Sequence, residues 1–135
     1  MIRRLSDEHD AIIEASGALR RAAGRGDVAS VRQRVQHLTM LLDPHSAAEE
    51  SGLFRELGEH AEFADHLGSL SAEHVELERR LGRVLRGELQ AVDGFVDLLR
   101  RHIAREEDGL FPAAVIALDG AAWERIAPED GAPGV

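Results

Sequence analysis

Six side chains in this 135-residue chain have the types and spacing to hold metal. They are His9, His45 with Glu49 four residues on, His74, and His102 with Glu106 four residues on. Residues i and i+4 of a helix share one face about one turn apart, so each His–Glu pair can reach a common ion. His9 and His74 add one nitrogen each. Six ligands exceed what one zinc ion takes, since its sites are usually four-coordinate. Two octahedral ions need about twelve positions between them, and four imidazoles with two bridging carboxylates fill about eight. A bridging oxo or hydroxo group fills about two more, leaving about two for water, a further side chain or an exogenous molecule. A nitrogen and oxygen shell without sulfur suits iron, manganese or zinc and disfavours Cu(I). The spacing favours two metal ions over one and does not name the element.

The elements that carry these residues follow from the apolar period. Leu5, His9, Ile12, Ser16 and Leu19 form one stripe, and Val31, Val35, Leu38, Leu42, His45, Glu49 and Leu53 a second. Leu67, Leu70, His74, Leu77, Leu81 and Val84 form a third, and Val92, Phe95, Leu99, His102, Glu106 and Leu110 a fourth. Steps of three and four residues are those of a core-facing helix. Turn signals fall at Gly24 to Asp27, between Gly58 and Gly68, and at Arg86 to Glu88. Four amphipathic helices with short connections predict an all-α, up-down-up-down four-helix bundle over residues 1–118. Residues 119–135, with Gly120, Pro128, Gly131, Pro133 and Gly134, read as a C-terminal tail that packs on the bundle or frays from it. Trp123 and Ile126 are expected to cover one bundle end. Each stripe is broken by a His, and two of them also by a Glu; an unpaired carboxylate in a dry core costs several kcal/mol or takes up a proton.

The chain also contains itself twice. Leu5-Ser6-Asp7-Glu8-His9 matches Leu70-Ser71-Ala72-Glu73-His74, and His45 to Phe54 matches His102 to Phe111 in the same order. Each half is therefore expected to be a helical hairpin, and two related hairpins face to face gather the His and Glu residues about an approximate two-fold axis. With turns at Arg25 and Gly87, the paired histidines of the two hairpins miss level by roughly 6 Å and 3 Å at the helical rise, which loops can absorb.

Composition narrows the function classes. The absence of Cys excludes disulfides, thiolate catalysis, zinc fingers and iron–sulfur clusters, and the absence of Tyr excludes a tyrosyl radical. A net charge of −9 argues against a nucleic-acid partner. No apolar run nears the ~20 residues that span a bilayer, and the N-terminal residues lack a signal-peptide core, so the expectation is a cytoplasmic protein without a membrane partner. No Ser-His-Asp nucleophile or Gly-rich phosphate loop is present, which leaves any catalysis to the metals.

The ordered set His9, His45-x-x-x-Glu49, His74, His102-x-x-x-Glu106-Glu107, ending Glu106 to Pro112, resembles the hemerythrin-like, or HHE cation-binding, domain over residues 5–112. Ferritin-like bundles carry Glu-x-x-His instead, a pattern this chain lacks. The resemblance implies a non-haem di-iron centre (Fe2+/Fe3+), bridged by two carboxylates and an oxo or hydroxo group. It implies binding of dioxygen or a related small oxidant such as peroxide or nitric oxide, in oxygen or redox sensing, iron handling or oxidant removal. Sensing would call for a separate protein partner.

Two departures matter. Oxygen carriers present His-x-x-x-His on the third helix, whereas the partner of His74 here is Glu78; an anion in place of an imidazole changes the redox poise of the iron it touches and argues against reversible oxygen carriage. Glu78 is either an additional metal ligand or a solvated side chain. Oxygen carriers also place the second bridge five residues after the helix-four His, at Glu107, whereas the internal repeat selects Glu106, and i+5 turns away from the shared face. Glu50 and Glu107 are then outer residues that hydrogen-bond a ligand His, or further ligands. Pro44 is expected to kink its helix, and His37, His60 and His66 to be solvated. The rivals are a mononuclear zinc or nickel His-bundle enzyme resembling DinB-like proteins, and a metal-free helical interaction module.

Overall fold

The protein is described by a computed structural model covering residues 1–126, among which every regular element is helical. The principal elements are α1 (Ile2–Gly24), α2 (Val28–Ala48), α3 (Arg55–Leu57), α4 (Ala64–Leu85), α5 (Val92–Arg105), α6 (Phe111–Ala117) and α7 (Gly120–Ile126). Two π-helical turns, Glu49–Phe54 and Glu106–Leu110, continue α2 and α5, and 3-10 turns at Ala61–Phe63 and Leu89–Ala91 lead into α4 and α5.

The turns that end α1 and α4 are built alike. Gly26 and Gly87 take φ of +67° and +100°, the left-handed conformation that glycine enters without a Cβ clash. Gly26 and Asp27 donate their N–H groups to the Ala23 and Ala22 carbonyls, and Gly87 and Glu88 donate theirs to those of Val84 and Arg83. Each helix thus closes with a Schellman motif. Asp27 then caps α2, its carboxylate accepting from the Ser30 N–H at 3.1 Å.

α1 packs against α2 and α5, and α4 against α5 and α2. Every position on the four expected stripes is buried except Leu42 and His74, which are half-buried. The apolar residues form two clusters. One is centred on Ile12, Leu38, Leu77, Phe95 and Leu99; the other takes in Leu5, Leu53, Leu70, Leu110 and Trp123. Their order alternates along the chain. α1 and α4 run from the second cluster into the first, α2 and α5 from the first toward the second, and each crosses at its His. The histidines and their glutamates form a polar layer between two apolar ones.

The first part of the tail is ordered. α7 buries Trp123 against the cluster containing Phe54 and Phe111. Gly52 admits it: a Cβ there would meet Ile126 Cγ2 at 3.0 Å. Arg125 of α7 reaches Glu56 at 2.8 and 3.0 Å, and this pairing holds the Glu56 carboxyl below its ordinary range. Residues 127–135, the rest of the expected tail, lie outside the described residues. Pro44 lies exposed within α2, which continues through it. No described helix is long and apolar enough to cross a membrane.

Phe95 is fully buried within the larger cluster. Phe95→Ala is expected to cost about 3–5 kcal/mol in chemical denaturation. A loss below about 1 kcal/mol would show that this seam does not carry the fold.

Candidate metal centre

Four helices each deliver one imidazole to the polar layer. His9 comes from α1, His45 from α2, His74 from α4 and His102 from α5, and Glu49 and Glu106 open the two π-helical turns. Glu49 and Glu106 are both 0% exposed. His9 Nε2 lies 2.9 Å from Glu106 Oε1 and 3.7 Å from Glu49 Oε2, and His45 Nε2 lies 3.2 Å from Glu49 Oε2. On the opposite side, His74 Nε2 lies 3.1 Å from Glu49 Oε1 and 3.9 Å from Glu106 Oε2, and His102 Nε2 lies 3.3 Å from Glu106 Oε2. Two clusters result: His9, His45, Glu49 and Glu106 in one, and His74, His102, Glu49 and Glu106 in the other. Within each, the candidate ligand atoms all lie within 4.8 Å of one another. Both carboxylates belong to both clusters.

An outer ring fixes the imidazoles. Each Nδ1–H donates to a glutamate on a neighbouring element: His9 to Glu107 at 2.9 Å, His45 to Glu8 at 2.7 Å, His74 to Glu50 at 2.8 Å and His102 to Glu73 at 2.8 Å. A proton held at Nδ1 turns the Nε2 lone pair inward and makes it more basic, as metal-bound histidine requires. Ser6 donates to Glu107 and Ser71 to Glu50, both at 2.9 Å. His9 stacks on Phe111 with ring centroids 5.5 Å apart, and His74 on Phe54 at 5.6 Å. Every one of these contacts in the first half has its counterpart in the second.

The charges in this layer are arranged to favour a cation. Burial by itself pushes His9, His45 and His74 toward the neutral form, yet the adjoining carboxylates prevail and all three sit above the usual imidazole value. Burial pushes Glu106 up in turn, but His102 and His9 hold it well below the usual carboxylate range. The contacts still leave atoms without partners. Among the described residues, His45 Nε2, Glu49 Oε2, His102 Nε2 and Glu106 Oε2 are buried and hydrogen-bond to nothing. Buried polar atoms are seldom left so. Two nitrogens and two carboxylate oxygens, gathered in clusters that share both carboxylates, are a donor set that fits metal ions.

The family model of the hemerythrin HHE cation binding domain matches residues 1–114. This chain belongs to that family. No curated protein and no solved structure matches it.

In this HHE domain the other residues singled out by sequence are placed as follows. Glu106 lies in both clusters, whereas Glu107 turns to the outer side of His9. Glu50 does the same for His74. Glu78 is exposed and belongs to neither cluster. His37 is exposed, and His60 and His66 are half-buried rather than fully solvated, His60 lying edge-on to Phe63. The sequence reading overlooked Glu8 and Glu73. Both lie inside the repeated Ser-x-Glu-His segments, which was the available signal.

The four outer carboxylates give a test. Glu8→Ala and Glu73→Ala are expected to leave the helical content unchanged and to weaken metal affinity about 10–100-fold, read by competitive chelator titration. Affinity equal to wild type in both would remove these residues from the metal's support.

Proposed function

We propose that the domain is a non-haem di-iron protein that binds dioxygen or a related small oxidant, peroxide or nitric oxide, within an up-down-up-down four-helix bundle of two duplicated hairpins. The observation that carries this reading is the sharing of Glu49 and Glu106 by two clusters that otherwise use different histidines. A lone ion needs only one such cluster; two carboxylates common to both are the arrangement of a bridged pair. The alternation of the apolar clusters along successive helices supports the bundle topology.

His9 and His45 would hold one iron and His74 and His102 the other, with Glu49 and Glu106 as bridges and an oxo or hydroxo group between the metals. Bound iron supplies electrons to a small oxidant. The protein's own residues do the rest. The outer glutamates keep the Nδ1 protons and thereby the ring orientations, and the Phe54 and Phe111 rings and flanking apolar clusters exclude water. The same centre serves oxygen or redox sensing, iron handling or oxidant removal. The net charge of −9 supports a setting without nucleic acid, and we place the protein in the cytoplasm.

Elemental analysis of the protein loaded under reducing conditions is expected to give two irons per chain, one for each cluster. His45→Ala and His102→Ala should lose iron together with near-ultraviolet oxo-to-iron absorption, while His37→Ala keeps both. One zinc or nickel ion per chain would support the mononuclear rival and overturn the di-iron reading. Chelation of the loaded protein should lower its stability by about 3 kcal/mol or more, a fall in Tm on the order of 10 °C. An unchanged melting curve after verified metal removal would favour the metal-free interaction module.

A further inference from the structure

The two halves match closely at the ligands and differ beside them. A small chamber between the histidines is lined by pairs that the repeat relates: His9 and His74, Ile12 and Leu77, Leu42 and Leu99, His45 and His102, Ser46 and Ile103. Only the last pair exchanges a small polar side chain for a large apolar one. On the Ser46 side the chamber abuts a groove of about 670 Å³ between α2 and α4, and Leu42, Ser46, His74 and Leu77 line both. The two stripe positions left half-buried, Leu42 and His74, are part of this shared wall.

The corresponding face between α1 and α5 is filled. Thr39, Ser46 and Glu78 of the groove correspond to Val96, Ile103 and Ile13. Val96 and Ile103 are buried, and Ile13 packs on the core. Arg20 straps this face by reaching Asp93 at 3.0 Å and Asp97 at 2.9 Å, whereas its counterpart in the groove is Leu85. Three hydrophobic-for-polar exchanges and one ionic strap therefore close one route to the centre, and their absence opens the other.

We propose that the α2–α4 groove is the entrance for exogenous ligands, and that they reach the centre at its His74/His102 half. The inference rests on the di-iron reading. The ligand class is a small neutral molecule of two to four atoms. Ser46 is the one small side chain among the four that line both cavities, the inner groove is largely apolar, and Asp43, Glu50 and Glu78 at its polar margin disfavour anions.

The test measures the association rate of nitric oxide with the reduced, iron-loaded protein by stopped-flow absorbance, with iron content measured on each sample. Ser46→Ile, which copies Ile103, is expected to retain two irons and to slow association at least tenfold. Val75→Trp fills the groove from a position 68% exposed, where the fold tolerates it, and should slow association as well. Two irons per chain with wild-type rates in both Ser46→Ile and Val75→Trp would overturn the entrance while leaving the di-iron reading intact. Wild-type protein without an iron pair would remove that reading, and the entrance with it.

Discussion

Two fully buried carboxylates set the terms for everything else in this molecule. Glu49 and Glu106 lie between apolar clusters, where an ionised group without compensation costs several kcal/mol. Four imidazoles surround them, and four further glutamates hold those imidazoles from outside. Six carboxylates against four imidazoles leave negative charge in excess even when every ring carries a positive charge, and the layer favours any species that brings more positive charge inside. Protons partly do this, which is why three of the imidazoles are raised above their ordinary value despite burial. A divalent metal would do it with better geometry, since it would satisfy the orphaned oxygens and nitrogens together.

Duplication is the economical way to build such a layer. A single hairpin presents two histidines and one inward glutamate, too few to compensate one another or to enclose an ion. The second copy of the motif doubles the donors, and both inward carboxylates belong to both clusters. The Schellman turns at Gly26 and Gly87 set the length of each hairpin, and this register brings the paired rings to centroid separations of 4.7 Å in both halves. The helical rise alone left level differences of several ångströms, which the connecting turns absorb.

Much of this was legible because a helix repeats its buried face every three or four residues, and a His on such a face is visible as an interruption. The alternating stripes, the inward side chains of His9, His45 and His102, and the burial of Glu49 and Glu106 all follow from that period. The outer glutamates do not. Glu8 and Glu73 precede a His by one residue, so each faces a different helix from its neighbour, and its partner appears only when the helices are paired. Nor did the period reveal the π-helical turns. Within them Glu50 and Glu107 rotate away from the chamber, as i+5 positions should, but arrive beside histidines of the neighbouring helices instead of in water. The first part of the tail was legible too: Trp123 and Ile126 are the apolar residues expected to cover one bundle end, and they pack on the cluster there, with Ile126 over Gly52.

α7 has no counterpart in the repeat, and it sits on only one end of a body whose other parts come in pairs. It covers the apolar cluster that contains Phe54 and Phe111, the rings stacked on His74 and His9. One unpaired helix therefore backs the aromatic rings that stand behind a histidine of each half, so its docking bears on both clusters alike.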